Sequence, residues 1–372
     1  MKRLLLGAFA FVLATFSEAA ENLSPGLLIP RVSGEWAAAT GKPPKQAAEI
    51  VIEQSPGHFY LFRSQLSRKQ PQTTIHYSTE RKNFGLKDKN GDAMHLVVSL
   101  PFVVSAVSQE GDVWSLTAAK PGTAELQSAK LTWDEIAPIP TRTTDHRPIR
   151  VALCDDYGSF GKGVPRFSEL LGKAPDVAVT LVKPPLIREG GLKDFDVVVF
   201  TGGSGGKQAS TIGLLGREQV RRFVEAGGGY IGVCAGNYLA CDGFSWGVKI
   251  LDAKTKSSKW ARGVGDVKIE FTDKGREILG MPAGVMDIRY ANGPVFDAAG
   301  AAAIGDFEPL AYFRSELTEH DAPKGAQVNS PAMVIGTYGQ GRVLCSSPHP
   351  EQQAGMEIFP ERAVRWVAGK QP

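Results

Sequence analysis

The sequence predicts an α/β protein: a doubly wound, mostly parallel sheet preceded by a smaller N-terminal β-rich domain. Three observations carry this. From residue 148 onward, short runs that are apolar at nearly every residue alternate with helical patterns, which is how parallel strands covered on both faces read. Upstream, segments rich in β-branched and aromatic residues are separated by turn formers. Between the two, "WDEIAPIPTRTTDHRPIRVAL" sets three prolines among polar residues, as a linker does. A chain of 372 residues is longer than one core usually needs, and 42% hydrophobic with 22% charged residues is ordinary for a globular protein.

The first element is not part of the fold. Lys2 and Arg3 precede the apolar run "LLLGAFAFVLATF", and Ser17 and Ala19 supply small residues at both recognition positions of a cleavage site after Ala19. Residues 1–19 are expected to be a signal peptide, because the run is too short to span a bilayer. A periplasmic or secreted protein with no stable membrane insertion is the expectation. None of the four cysteines lies in the leader, so no lipid-modified cysteine is expected. Exported compartments are oxidising, so Cys154, Cys241 and Cys345 are open to disulfide pairing, with the partners unassigned. The net charge of +3 is spread without a long basic block, so nucleic acid is not an expected partner.

Residues 20–135 form the expected β-rich domain, with strands in "HFYLFRSQ", "TTIHYSTE", "HLVVSLPFVVSAV" and "DVWSLTAA" and turns at "KNGD" and "KPGT". His58, His76 and His95 lie on these strands without a metal-ligand spacing and are read as surface or core residues. The linker is placed at 136–147 and the second domain at 148–372. There, "IRVALCD", "VAVTLVK", "FDVVVFTGG", "YIGVC" and "GRVLCSS" read as strands, the last as one arm of a hairpin turning at Gly339-Gln340-Gly341. "VPRFSELLGK", "REQVRRFVEAGGG" and "PERAVRWVAG" read as helices; the second carries Val220, Phe223 and Val224 at helical spacing and stops at three glycines. Function gathers at the carboxyl ends of such strands, so "FTGGSGG", "GVCAGN" and "SSPHPE" are expected along one edge.

The second of these segments carries the chemistry. "GVCAG" has the form of a nucleophile elbow, in which Gly232 and Gly236 let a tight strand-to-helix turn lift the Cys234 side chain clear of the backbone. The helix start also offers unsatisfied N–H groups and the positive end of the dipole, which favour a thiolate. The amide of Ala235 is one expected oxyanion donor, and a second is expected near Gly203 or Ser204 in the loop "TGGSGGK". That loop does not fit a phosphate-binding loop, since Thr201 stands where the first glycine belongs and Gln208 where Ser or Thr is required. His349 is the expected base and Glu351 its partner, two residues apart on extended backbone so that both point to one side.

These residues resemble the class I glutamine amidotransferase-like superfamily, a flavodoxin-like fold whose Cys-His-Glu triad ends in a His-Pro-Glu segment. Within it, "GGGYIGVCAGNYLACDGF" and "YANGPVF" are similar to the N-terminal domain of eukaryotic-type biotin protein ligase. The resemblance implies Cys234 as nucleophile, His349 as general base, Glu351 as its partner and Gly202-Gly203 as oxyanion support. Gly236, Asn237, Tyr290, Asn292 and Gly293 join Gly202 as expected pocket residues. No ligase domain follows in this sequence, so biotin transfer is not expected, and no cofactor or metal is. The expected function is an exported cysteine hydrolase that cleaves a small amide (glutamine-like, γ-glutamyl or peptide) through a thioester. The alternatives are a pocket-bearing binding domain without catalysis and a thiol redox or stress protein using Cys234 with another cysteine; oligomeric state is left open.

Overall fold

A computed structural model describes residues 26–42, 45–66, 72–82, 84, 95–119, 125–137, 139 and 148–370. The leader, the "KNGD" and "KPGT" turns and linker residues 138 and 140–147 lie outside the described residues.

Among the described residues, the N-terminal region is all β. Strands β1 (Leu28–Ala38), β2 (Glu49–Ser55), β3 (His58–Gln65), β4 (Gln72–Ser78), β5 (Leu96–Leu100), β6 (Val103–Glu110), β7 (Val113–Ala119) and β8 (Leu126–Glu135) form two antiparallel four-stranded sheets, ordered β1-β8-β7-β6 and β2-β3-β4-β5. The single apolar run "HLVVSLPFVVSAV" becomes two strands in different sheets. Proline cannot donate to a ladder, and Pro101 sits at the crossing point. Tyr60, Phe62, Ile75, Val104, Leu116 and Leu131 fill the space between the sheets. His58 Nδ1 lies 2.7 Å from the Tyr77 hydroxyl and His95 Nδ1 3.1 Å from the Tyr77 carbonyl, while His76 Nε2 lies 3.1 Å from Thr74 Oγ1.

The larger region is mixed α/β. Its elements are β9 (Ile149–Cys154), α1 (Gly163–Leu171), β10 (Val177–Val182), α2 (Pro184–Arg188), β11 (Val197–Phe200), α3 (Gly205–Glu225), β12 (Gly229–Val233), α4 (Ala235–Ala240), β13 (Ala253–Thr255), β14 (Val264–Phe271), α5 (Asp273–Leu279), β15 (Val285–Ala291), β16 (Phe296–Ala298), β17 (Glu308–Phe313), β18 (Pro331–Tyr338), β19 (Gly341–Ser346) and α6 (Phe359–Val367). Nine strands form one sheet in the order β10-β9-β11-β12-β19-β18-β17-β14-β15, and β13 pairs separately with β16.

The expectation of a mostly parallel sheet needs correction. The ladders from β10 to β19 are parallel, but those from β19 to β15 are antiparallel, so the sheet is divided evenly. The antiparallel strands alternate buried and exposed residues, as in β14 and β15, because part of this half faces water. Helices cover both faces of the sheet. Phe167 of α1, Leu279 of α5 and Phe359 of α6 pack on one side; Ile187 of α2, Phe223 of α3 and Leu239 of α4 pack on the other.

The glycine loop also differs from expectation. Gly205, Gly206 and Lys207 belong to the first turn of α3, which kinks at Gly213 (φ 67°) and runs on through the expected helix. Beyond the kink, Leu214 and Leu215 join the core of the N-terminal region, and the Arg222 guanidinium donates to the Ile136 carbonyl. Among the described residues, no helix is long and apolar enough to cross a membrane.

Candidate active site

Strands β11, β12 and β19 are neighbours, so the segments that follow them share one edge of the sheet. Between β12 and α4 the chain turns within one residue. Cys234 takes φ 51° and ψ −95°, a conformation that costs a side-chain-bearing residue about 1–3 kcal/mol. The turn is held by the Cys234 amide donating to Ser346 O at 2.8 Å and by close backbone contact on either side. A Cβ at Gly232 would lie 2.6 Å from Gly236 O, and one at Gly236 would lie 2.1 Å from Phe200 O. Both positions therefore exclude a side chain, which is why the motif carries glycines there.

His349 follows β19. Its amide donates to Arg289 O at 2.8 Å, which ties the loop to β15, and Ser346 Oγ donates to Pro348 O at 2.8 Å. His349 and Glu351 are not on extended backbone as expected. Pro350, with its fixed φ, starts a 3₁₀ turn over Pro350–Gln352, and this turn folds the carboxylate back onto the ring. Glu351 Oε1 lies 2.9 Å from His349 Nδ1, and the Gln352 side-chain Nε2 donates to the same oxygen at 2.9 Å. With Nδ1 occupied by Glu351, Nε2 is the ring nitrogen left for the sulfur. Gly202 makes room for the ring, since a Cβ there would lie 2.7 Å from His349 Cε1.

Both members of the His349–Glu351 pair are nearly fully buried, and Glu351 Oε2 has no hydrogen-bond partner. Burial pulls the imidazole toward its neutral form. Hydrogen bonding to Cys234 and Glu351, with their negative charge, outweighs it and pushes the His349 pKa up to about 10. The Cys234 thiol is 6% exposed and donates to Ala291 O at 3.3 Å.

Cys234 and His349 open into a cleft of about 1390 Å³, which is also lined by Gly202, Gly203, Ser204, Ala235 and Asn292. The Ser204 amide donates to Gly158 O at 2.9 Å and is therefore committed, which leaves Gly203 as the loop amide of the expected pair. The Ala235 amide is the first of the helix-start N–H groups that lack an intrahelical acceptor. Four expected pocket residues do not line this cleft. Tyr290 points into the core and donates to Gly293 O at 2.6 Å, because alternation along β15 turns its neighbours Arg289 and Ala291 to the cleft instead. Gly293 is pressed against Ser347, Gly236 lies under β11, and Asn237 is fully buried, with its carbonyl accepting from the Cys241 thiol at 3.3 Å. Asn292 does reach the cleft, but its Oδ1 accepts from the Gly263 amide at 2.7 Å and braces the loop.

Residues the sequence reading missed complete the cleft. Lys162, Arg166, Arg289 and Gln352 supply polar groups, and Phe160, Tyr238, Phe244, Trp246 and Trp260 form aromatic walls. Gln352 stands next to the His-Pro-Glu segment and was within reach of motif reading; the others come from separate segments and carry no shared pattern. Cys154, Cys234, Cys241 and Cys345 are all free thiols, so the open disulfide pairings are not formed. Burial pushes the thiols of Cys154, Cys241 and Cys345 up and favours their protonated form.

Residues 164–259 match the family described as biotin-protein ligase, N terminal. The match takes in the Gly202-Gly203 loop and the Cys234 elbow and ends before His349 and Glu351. No curated protein matches the chain. Solved structures similar to it include a cytoplasmic protein from Salmonella typhimurium (14% identity, 59% of this chain and 98% of that one, TM-score 0.39). A thua-like protein from Bacteroides uniformis has 16% identity over 61% of this chain and 94% of its own, with a TM-score of 0.43. A beta-galactosidase from Rahnella sp. R3 has 15% identity over 60% of this chain and 31% of its own, with a TM-score of 0.38.

Proposed function

We propose that this protein is an exported cysteine hydrolase of the class I glutamine amidotransferase-like kind, built on a flavodoxin-like sheet, and that it cleaves an amide through a thioester on Cys234. The observation that carries this reading is a strained cysteine at a strand-to-helix turn sharing a cleft with an imidazole whose far nitrogen is held by a buried carboxylate. The apolar leader after Lys2 and Arg3 supports export.

In the proposed reaction, His349 holds the Cys234 proton as an imidazolium beside the thiolate, and the sulfur attacks the amide carbonyl carbon. The amides of Ala235 and Gly203 stabilise the resulting oxyanion. His349 then returns the proton to the leaving nitrogen, the C–N bond breaks and an amine or ammonia departs. Water, losing a proton to His349, attacks the thioester; the C–S bond breaks, the carboxylic acid leaves and the thiol is restored. Glu351 holds the ring orientation and balances the imidazolium throughout.

The contact between the Cys234 thiol and Ala291 O favours a second reading, a binding domain whose sulfur stays idle. Hydrolysis of a panel of glutamine, γ-glutamyl and peptide amides separates the two. The hydrolase reading expects turnover by the intact protein and none by folded Cys234→Ala; turnover that survives the substitution overturns it.

A further inference from the structure

The charges around the cleft have one sign. Lys162, Arg166, Arg289 and His349 line it, and among the described residues no aspartate or glutamate does. Arg166 is neutralised by Glu169 at 2.6 Å, but Lys162 and Arg289 make no ion pair among the described residues. Arg289 is the better placed of the two. Its carbonyl accepts the His349 amide at 2.8 Å, and it lies two residues before Ala291, whose carbonyl accepts the Cys234 thiol at 3.3 Å. Residues two apart on a strand share a face, and Arg289 and Ala291 both line the cleft that Cys234 and His349 open into.

The remaining walls are aromatic. Phe244 stacks on Trp246 with ring centroids 4.6 Å apart, and Trp260 and Phe160 are each 58% exposed. Large rings left open to water beside a cleft mark a contact surface. At about 1390 Å³, the cleft exceeds the ~300–1,000 Å³ that suits small ligands.

We infer that the ligand of this cleft carries a free carboxylate, taken by Arg289 with Lys162 close by, and a flat or apolar portion that lies against Trp246 and Trp260. A planar guanidinium fits a carboxylate through two parallel hydrogen bonds, and a single unpaired arginine aided by one exposed lysine suits a monoanion. The substrate class is a peptide-like amide with an acidic group near the scissile bond, larger than a single amino-acid amide. This inference rests on Cys234 being the nucleophile of the same cleft.

Two alkylating reagents of nearly equal size test it: iodoacetate, which carries the carboxylate, and iodoacetamide, which does not. The readout is the ratio of their second-order rates at Cys234, measured by peptide mass spectrometry and compared with the ratio for free cysteine. A cleft lined by one sign of charge raises the ratio about tenfold or more, and the excess shrinks as salt is added. Arg289→Gln brings the ratio down to that of free cysteine, and Arg289→Lys, which keeps the charge, restores much of it. A wild-type ratio equal to that of free cysteine, or one that Arg289→Gln leaves unchanged, overturns the carboxylate assignment while the hydrolase reading stands. Labelling of Cys234 by neither reagent overturns both.

Discussion

His76 and His349 are buried to nearly the same degree, at 3% and 5% exposure, one in each region of the protein. Burial pulls both imidazoles toward the neutral form. In the N-terminal sheets, Arg63 and His95 add to that pull, and the His76 pKa falls to about 4. In the larger region, hydrogen bonding to Cys234 and Glu351 reverses it, and the His349 pKa rises to about 10. Burial alone therefore says little about what a histidine does. The neighbouring groups decide, and of the two only His349 has a carboxylate within hydrogen-bonding distance and a thiol opening into the same cleft.

The most severe break in this comparison removes the thiol or the ring. Cys234→Ala or His349→Asn is expected to cut amide hydrolysis by at least about 10³-fold with the fold retained, as loss of a nucleophile or base does elsewhere. Turnover assays with circular dichroism check this. Next comes the carboxylate: Glu351→Gln removes one of the two groups that raise His349, so its titration midpoint, followed by NMR of the imidazole, falls below about 10 while Cys234 still holds it up, and hydrolysis falls by about 10²-fold or more.

Stability should follow pH in opposite directions for the two histidines. The unfolded chain binds a proton near the ordinary value of 6.5, whereas folded His76 does so only near 4. Its contribution is present above 6.5 and lost as the pH falls through 4, a change of about 3 kcal/mol. His349 has the reverse sign, with its contribution complete below 6.5 and lost as the pH rises through about 10. Scanning calorimetry of wild type and His76→Leu across the acid range isolates the first effect, with the variant losing the acid sensitivity. Gly236→Ala forces a Cβ against Phe200 O and is expected to cost about 1–3 kcal/mol, read by denaturant titration. The smallest effect sharpens the contrast: at neutral pH His76→Leu should leave hydrolysis unchanged and shift stability by about 1 kcal/mol, because it removes a buried polar group with an unpartnered Nδ1.

The parallel half of the large sheet was legible because "IRVALC", "VVVF" and "YIGV" are apolar at every or nearly every position, which only strands covered on both faces tolerate. The antiparallel half was not. Strands such as β14 and β15 alternate locally, but nothing in that alternation says which distant strand each will pair with. The beginning of α3 is hidden because the four glycines in "TGGSGGK" look like a loop, whereas Gly205 is a helical residue packed against Ala235 and Tyr238 of the elbow helix. At the site, Cys234, His349 and Glu351 could be read because each sits in a short motif whose neighbours explain it. Arg289 and Trp260 could not, since their place in the cleft comes from sheet geometry and loop placement.

The most direct test of the account is the rate at which iodoacetamide alkylates each cysteine of the native protein at neutral pH, resolved by peptide mass spectrometry. Four thiols of similar burial serve as one another's controls. The account predicts rapid modification confined to Cys234, slowed in His349→Asn, with Cys154, Cys241 and Cys345 reacting only on unfolding. Modification of Cys234 no faster than that of the other three, or at a rate indifferent to loss of the imidazole, would contradict it.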